Sequence, residues 1–234
     1  MARHHPTAHR IPRDVPPSSD DVFVERVLET SAWAKENSRL LMVAGSVVLL
    51  LLLGFLYYRS YSTRLRNTAE AQLSAIRPTV TSGNAALAVR DLDAFVARFG
   101  NTPAAREARL LLAEAHLNAG QPQPAIEAVR DMANDLDNPL GVSAAFLLGG
   151  AYETSAQPDQ AVEAYIRIAD DATHDFQKVR ALDAAARIRY EQGNPGAAVQ
   201  LYDRILNILP EGDPERPVYL LRRGEASARA PAGT

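Results

Sequence analysis

VSAAFLLGGAYETSAQPDQAVEAYIRIADD, residues 142–171, decides how this chain folds. Its apolar residues recur at three and four positions on either side of Ser155-Ala156-Gln157-Pro158-Asp159, so it is two amphipathic helices joined by a breaking turn. Matched against the rest of the sequence at a period in the middle thirties, it finds REARLLLAEAHLNAGQPQPAIEAVRDMAND at 106–135 and VRALDAAARIRYEQGNPGAAVQLYDRILNILP at 179–210. A fixed period of that length marks stacked helical hairpins. Small residues fall where the two helices of a pair must come close: Ala113, Gly149 and Ala186 on the first, Ala125, Ala161 and Ala198 on the second. Larger ones fill the space between pairs: Leu112, Leu148, His116 and Tyr152, then Val129, Tyr165 and Tyr202.

One hairpin cannot cover its own apolar face, so stacking makes the fold and an end cap is required. A more divergent first pair is expected over about residues 61–99, with Leu92, Phe95 and Phe99 as its packing face, and residues 217–230 are expected to form the cap. Pro210 closes the last full unit.

At Leu148-Gly149, Tyr152, Ala161 and Tyr165, and again at Ala186, Gly193, Ala198, Tyr202 and Pro210, the chain resembles the tetratricopeptide repeat. The resemblance implies a right-handed superhelical stack whose concave groove is lined by the first helices. On that resemblance the groove presents Glu107, Leu110, Glu114 and Leu117, then Ser143, Phe146, Gly150 and Glu153, then Arg180, Asp183, Arg187 and Tyr190. Repeats that clamp an acidic C-terminal peptide carry Lys and Asn at such positions, and these residues do not match them. Apolar residues alternating with charged ones suit a short extended or helical peptide, and equally suit packing of these side chains on one another.

Residues 40–58, LLMVAGSVVLLLLLGFLYY from Leu40 to Tyr58, contain no charge. As a helix they reach about 28 Å, close to the hydrocarbon thickness of a bilayer. Tyr57 and Tyr58 fall at the level of an aromatic belt, and Arg39 and Arg59 bracket the ends. A cleaved signal would have a short basic start and a small-residue cleavage site, whereas here 39 residues precede the stretch and Tyr-Tyr-Arg ends it. The expectation is a retained transmembrane anchor. Three basic residues (Arg26, Lys35, Arg39) precede it closely and four (Arg59, Arg64, Arg66, Arg77) follow, so charge does not select an orientation.

Residues 1–19, rich in Pro, His and Ser, are expected to be a disordered tail. Val24, Val27 and Leu28 set an amphipathic helical pattern over 20–39, suited to a membrane surface, to a partner, or to simple extension of the anchor. Beyond the span the helical pattern continues through Leu65, Ala69, Leu73 and Ile76, and Arg77-Pro78 is expected to stop it. The resulting division is tail 1–19, amphipathic helix 20–39, span 40–58, repeats 59–210, and cap with disordered end 211–234. The fold class is all-α, a single transmembrane helix followed by an α-solenoid.

Chemistry is not expected. The absence of cysteine excludes disulfides, thiolate nucleophiles, zinc-thiolate sites, iron-sulfur clusters and the cysteine-linked lipid of a bacterial lipoprotein. There is no phosphate loop, no Gly-x-Ser-x-Gly and no His-Glu-x-x-His. His116 falls at a packing position, and His174 lies beside Asp170, Asp171 and Asp175 in what reads as a solvated acidic turn. His4, His5 and His9 lack a preorganised frame. No cofactor, no metal and no enzyme activity are expected. A net charge of −3 argues against nucleic acid, leaving other proteins and the membrane as partners.

Short polar tail, amphipathic helix, one span and Ala-rich cysteine-free repeats together resemble the bacterial ancillary SecYEG translocon subunit family. That resemblance implies an inner-membrane anchor, repeats in the periplasm, and a role beside the translocon in contact with emerging chains or periplasmic chaperones. The other readings are a structural organiser of a cell-envelope or division assembly and, with reversed topology, a cytoplasmic docking platform.

Overall fold

Two local devices punctuate the hairpins: a residue in the left-handed backbone region at the turn and a proline at the start of the next helix. The structure, a computed structural model, describes Lys35 and residues 37–230. Among these residues the α-helices are α1 Ser38–Thr81, α2 Ala85–Phe99, α3 Pro103–Asn118, α4 Pro122–Val129, α5 Pro139–Thr154, α6 Pro158–Asp171, α7 Asp175–Glu191, α8 Pro195–Ile208 and α9 Arg216–Arg229. A short 3-10 turn, Met132–Asn134, follows α4. The expected tail and nearly all of the expected amphipathic helix lie outside the described residues.

The turns repeat in detail. Gly83, Gly120 and Gly193 have φ of +79°, +71° and +75°, and Ala156 occupies the corresponding place at +57°. In three hairpins the next amide closes the helix end by bonding five residues back: Gln121 to the His116 carbonyl (2.8 Å), Gln157 to Tyr152 (2.8 Å) and Asn194 to Arg189 (2.9 Å). These are the C-terminal caps expected where a left-handed residue follows a helix. Pro103, Pro122, Pro139, Pro158, Pro195 and Pro217 stand at the first or second helical position, where the missing amide costs nothing.

Pro78 does not stop α1, which runs on to Thr81. The penalty of an internal proline is limited here because only three helical residues follow it. Hydroxyls take up nearby carbonyls: Thr79 donates to Ile76 (2.6 Å), Thr81 to Pro78 (3.1 Å) and Ser82 to Thr79 (2.8 Å).

The chain divides into two compact units, Met1–Tyr61 and Ser62–Thr234. In the first, every residue of 40–58 is exposed, and the apolar window within α1 has a mean hydropathy of 2.6 with none of it buried. By length and composition α1 is able to cross a membrane. Ser46 donates its hydroxyl to the Met42 carbonyl at 2.8 Å, so the polar side chain there is satisfied within the helix.

The second unit is the stack. From α2 to α9 each helix packs on the next, and α3 also packs on α5. Ala69 and Leu73 share a core with Ala88, Leu92, Phe95, Phe99, Ala105 and Ala108. A second core runs from Ala113 to Ala226. The small residues named from the sequence are where helices meet: Ala113, Ala125, Ala161, Ala186 and Ala198 are wholly buried, and Gly149 is buried. Burying Leu92 or Phe95 contributes about 1.5–3 kcal/mol each, before the entropy of ordering is subtracted. At the C-terminal end of the stack α9 packs on α8.

Candidate partner-binding face

The first helices of successive hairpins are α3, α5 and α7, preceded by the 62–81 part of α1 and followed by α9. Side chains at the positions named from the sequence reach between these helices. Glu107 on α3 pairs with Arg77 on α1. Glu153 on α5 accepts a hydrogen bond from Arg187 on α7 at 2.5 Å and another from the Tyr165 hydroxyl at 2.8 Å. Arg187 also reaches Glu191 at 3.3 Å. Asp183 on α7 pairs with Arg222 on α9.

The aromatic positions are bridged in the same way. The Arg180 guanidinium lies 4.7 Å from the centre of the Phe146 ring, and Phe146 is 6.1 Å from Tyr165. Arg229 stands 4.9 Å over Tyr190. Such cation–π contacts contribute about 0.5–1 kcal/mol when exposed. Leu110 and Leu117 are half-buried against the larger core. Ser143 bonds to the Pro139 carbonyl, and Gly150 accepts a bond from Thr154. Glu114 faces solvent. Among the named positions, then, Glu107, Phe146, Glu153, Arg180, Asp183, Arg187 and Tyr190 bind neighbouring first helices or each other.

A second set of polar contacts joins the second helices. Asp170 on α6 accepts from Arg204 on α8 at 2.5 Å, and Asn134 accepts from Arg167 on α6 at 3.1 Å. Asp159 is held below the ordinary carboxylate range, chiefly by its hydrogen bond from Arg189 and then by one from Gln192. On the other face, the Glu153 hydrogen bond is the main cause that pushes the Arg187 pKa up. Burial is the main cause of the raised pKa of Tyr165, followed by its bond to Glu153.

One concavity stands out at the C-terminal end of the stack. A cleft of about 560 Å3 lies between the first half of α7 and the segment running from the end of α8 into α9. Asp175, Phe176, Val179, Arg180 and Asp183 line one side, and Ile208, Leu209, Pro210, Asp213, Glu215 and Tyr219 the other. Of these, only Arg180 and Asp183 are among the groove positions expected from the sequence. Phe176 was the available signal, a large apolar residue in the first turn of α7, where a charged or capping residue is the ordinary choice.

His116 is buried and its Nδ1 lies 2.9 Å from the Gln121 side-chain oxygen, which fixes it within the hairpin. His174 stacks on Phe176 with ring centres 5.6 Å apart. Among the described residues no group of three or more His, Asp or Glu side chains is placed to hold a metal ion.

Comparison with known proteins adds the family. The family model of tetratricopeptide repeat-like domains matches residues 31–218. Among solved structures, the nearly identical TPR-like repeats of a kinesin light chain-like protein from Podosopora anserina superpose with a TM-score of 0.56 at 22% identity. The match covers 70% of this chain and 87% of that one. A substituted form of the same repeats gives 0.56 at 21% identity with the same coverage. At such identity the likeness concerns the fold alone. No curated protein matches the chain.

Proposed function

Since the chain belongs to the tetratricopeptide repeat-like domain family, whose repeats are typically non-catalytic platforms for binding other proteins, we propose that it is a membrane-anchored scaffold for protein–protein interaction. The observation that carries the anchor is α1: a helix with nineteen consecutive uncharged residues, all of them exposed, has no favourable place in water. About 0.8 kcal/mol per buried CH2 favours its transfer to an apolar phase. Lipid supplies that phase without leaving any backbone group unpaired.

The finer reading is an inner-membrane protein of a bacterium with its repeats in the periplasm, acting beside the protein-translocation channel or in envelope protein quality control. Its partners are channel subunits, periplasmic chaperones or emerging chains. Support comes from the order of parts: polar tail, one span, and a cysteine-free Ala-rich repeat unit, as in the ancillary translocon subunits that the sequence resembles. The test is a topology assay with reporters fused after Thr234 and before Ala2, followed by mild crosslinking in cells. A C-terminal reporter active only outside the cytoplasm, with channel subunits among the crosslinked proteins, is the expected result. Activity only inside would turn the repeats into a cytoplasmic docking platform. An external reporter with mid-cell localisation and no channel contact would favour an organiser of the envelope or division machinery.

A further inference from the structure

The repeat unit covers its large apolar side chains almost everywhere except at its C-terminal end. Among its described residues the exposed ones are Phe176, at 69%, and Val218, Leu220 and Leu221, at 48%, 51% and 65%. All four belong to α7 and α9, the helices that flank the 560 Å3 cleft. A concavity of this size, lined by both apolar and charged side chains, is in the range of small binding sites.

The ionisable side chains that line the cleft are mostly acidic, while Arg216 and Arg222, just outside the lining, are held by the Leu206 and Leu209 carbonyls and by Asp183. Four carboxylates line it against one guanidinium, and that guanidinium, Arg180, is committed to the Phe146 ring. Asp183 is neutralised by Arg222, and Asp213 caps the Glu215 amide at 2.8 Å. Asp175 and Glu215 form no ion pair among the described residues, and both side chains stand exposed beside apolar neighbours. Such carboxylates contribute little while water surrounds them, and more once a ligand excludes it.

We propose that this cleft takes an extended segment of a partner protein in which an arginine or lysine adjoins a bulky apolar residue. The cation lies between Asp175 and Glu215, and the apolar side chain enters against Phe176, Val179 and Tyr219. The cleft, about 560 Å3, has room for two or three side chains of an extended segment. The inference rests on the interaction-scaffold reading above and adds a location and a chemistry to it.

The test uses the full chain in detergent micelles and fluorescence anisotropy with pools of short labelled peptides. In one pool the central pair is Arg or Lys beside Leu, Ile, Phe or Tyr; in a second Glu replaces the cation; in a third Ser replaces the apolar residue. The first pool is expected to bind about fivefold or more tighter than the others. Phe176→Ala should weaken it about tenfold, equivalent to ~1.4 kcal/mol. Asp175→Asn with Glu215→Gln should erase the preference for basic over acidic peptides, and added salt should do so in part. All three positions are exposed, so unchanged helix content serves as the folding control.

Equal binding of the basic and acidic pools, no binding of the first pool, or unchanged affinity in the variants would overturn the proposal. So would a homodimer of the full chain broken by Phe176→Ala, since the cleft would then belong to a second copy. Crosslinking separates this idea from the broader one. If wild type and the triple variant capture the same partners, the cleft is wrong and the scaffold stands; if wild type captures none, the scaffold reading itself falls.

Discussion

Glu153 on α5 is shared between Arg187 of the next hairpin, at 2.5 Å, and the Tyr165 hydroxyl of its own, at 2.8 Å. One carboxylate thus ties the two helices of a pair to each other and that pair to its successor. Removing it as Glu153→Ala leaves a mostly buried phenol without its acceptor, so it should cost more than Arg187→Ala. The Arg187 side chain is 47% exposed, and its ion pair is discounted accordingly. A double-mutant cycle in urea should give a coupling of about 0.5–1.5 kcal/mol between the two positions. Strict additivity would mean that the ion pair does nothing for the stack.

Gly149 faces the ring of Tyr165 so closely that an added Cβ would sit 2.6 Å from Cε1 and Cζ. Gly149→Ala therefore has to displace the ring and with it the bond to Glu153, at a cost of about 1–3 kcal/mol. The preceding hairpin carries the alternative solution, Ala113 with Val129, both wholly buried. Tyr165→Val in the Gly149→Ala background should therefore be less destabilising than the sum of the single changes. Melting curves of the four proteins settle it, and additive losses would show that the ring has room to move.

Ala156 occupies a left-handed position, φ +57°, that glycine fills in the hairpins on either side. A Cβ there costs roughly 1 kcal/mol, and glycine relieves it at the expense of a more flexible unfolded chain. Ala156→Gly should stabilise by about 0.5–1 kcal/mol, and Gly193→Ala should destabilise by a similar amount. Urea midpoints of the two variants should move in opposite directions.

The pKa values of Tyr165, Tyr202 and Tyr219 are raised above the ordinary phenol value, in each case first by burial. A group with a raised folded pKa contributes stability that is fully present below its unfolded pKa and is lost as pH rises toward the folded value. Stability should therefore be insensitive to these residues up to about pH 10 and fall above it. Tyr165→Phe should lower stability at neutral pH through the lost bond to Glu153 and make the alkaline fall shallower. A parallel fall in wild type and variant would remove Tyr165 as its cause.

The repeat was legible because stacking demands the same small and large residues once per period. Ala125, Ala161 and Ala198 announce close helix contacts wherever they fall. The turns were legible for the same reason, since glycine and proline carry backbone constraints that do not depend on tertiary context. Contacts between hairpins were not. Glu153 reaches a residue 34 positions on, and Asp183 one 39 positions on, so the spacing changes at the end of the stack and no local pattern encodes it. The consequence is that residues read as a groove, such as Phe146 and Arg187, are largely occupied with neighbouring helices. The cleft escaped for a related reason, being assembled from α7 and the α8–α9 connection, with only Phe176 out of character for its position. Pro78 shows the converse limit: a strong local breaker yields when few helical residues remain beyond it.

The proposed anchor is tested at residues 40–58, with the repeat unit as control. Placing Arg at Val48 and Leu51, near the middle of the uncharged stretch, should cost about 2.5–3.5 kcal/mol for each on insertion. Wild type should stay in the membrane fraction after washing with high salt and with alkaline carbonate, whereas the doubly substituted chain should be released or degraded. Alkaline carbonate lies in the range where Tyr165, Tyr202 and Tyr219 weaken the repeats. A chain held to the membrane only through its repeat unit, or through a partner bound there, should be freed by that wash, while a chain held by residues 40–58 should remain. Release of the wild type would mean that α1 docks on protein rather than crossing lipid.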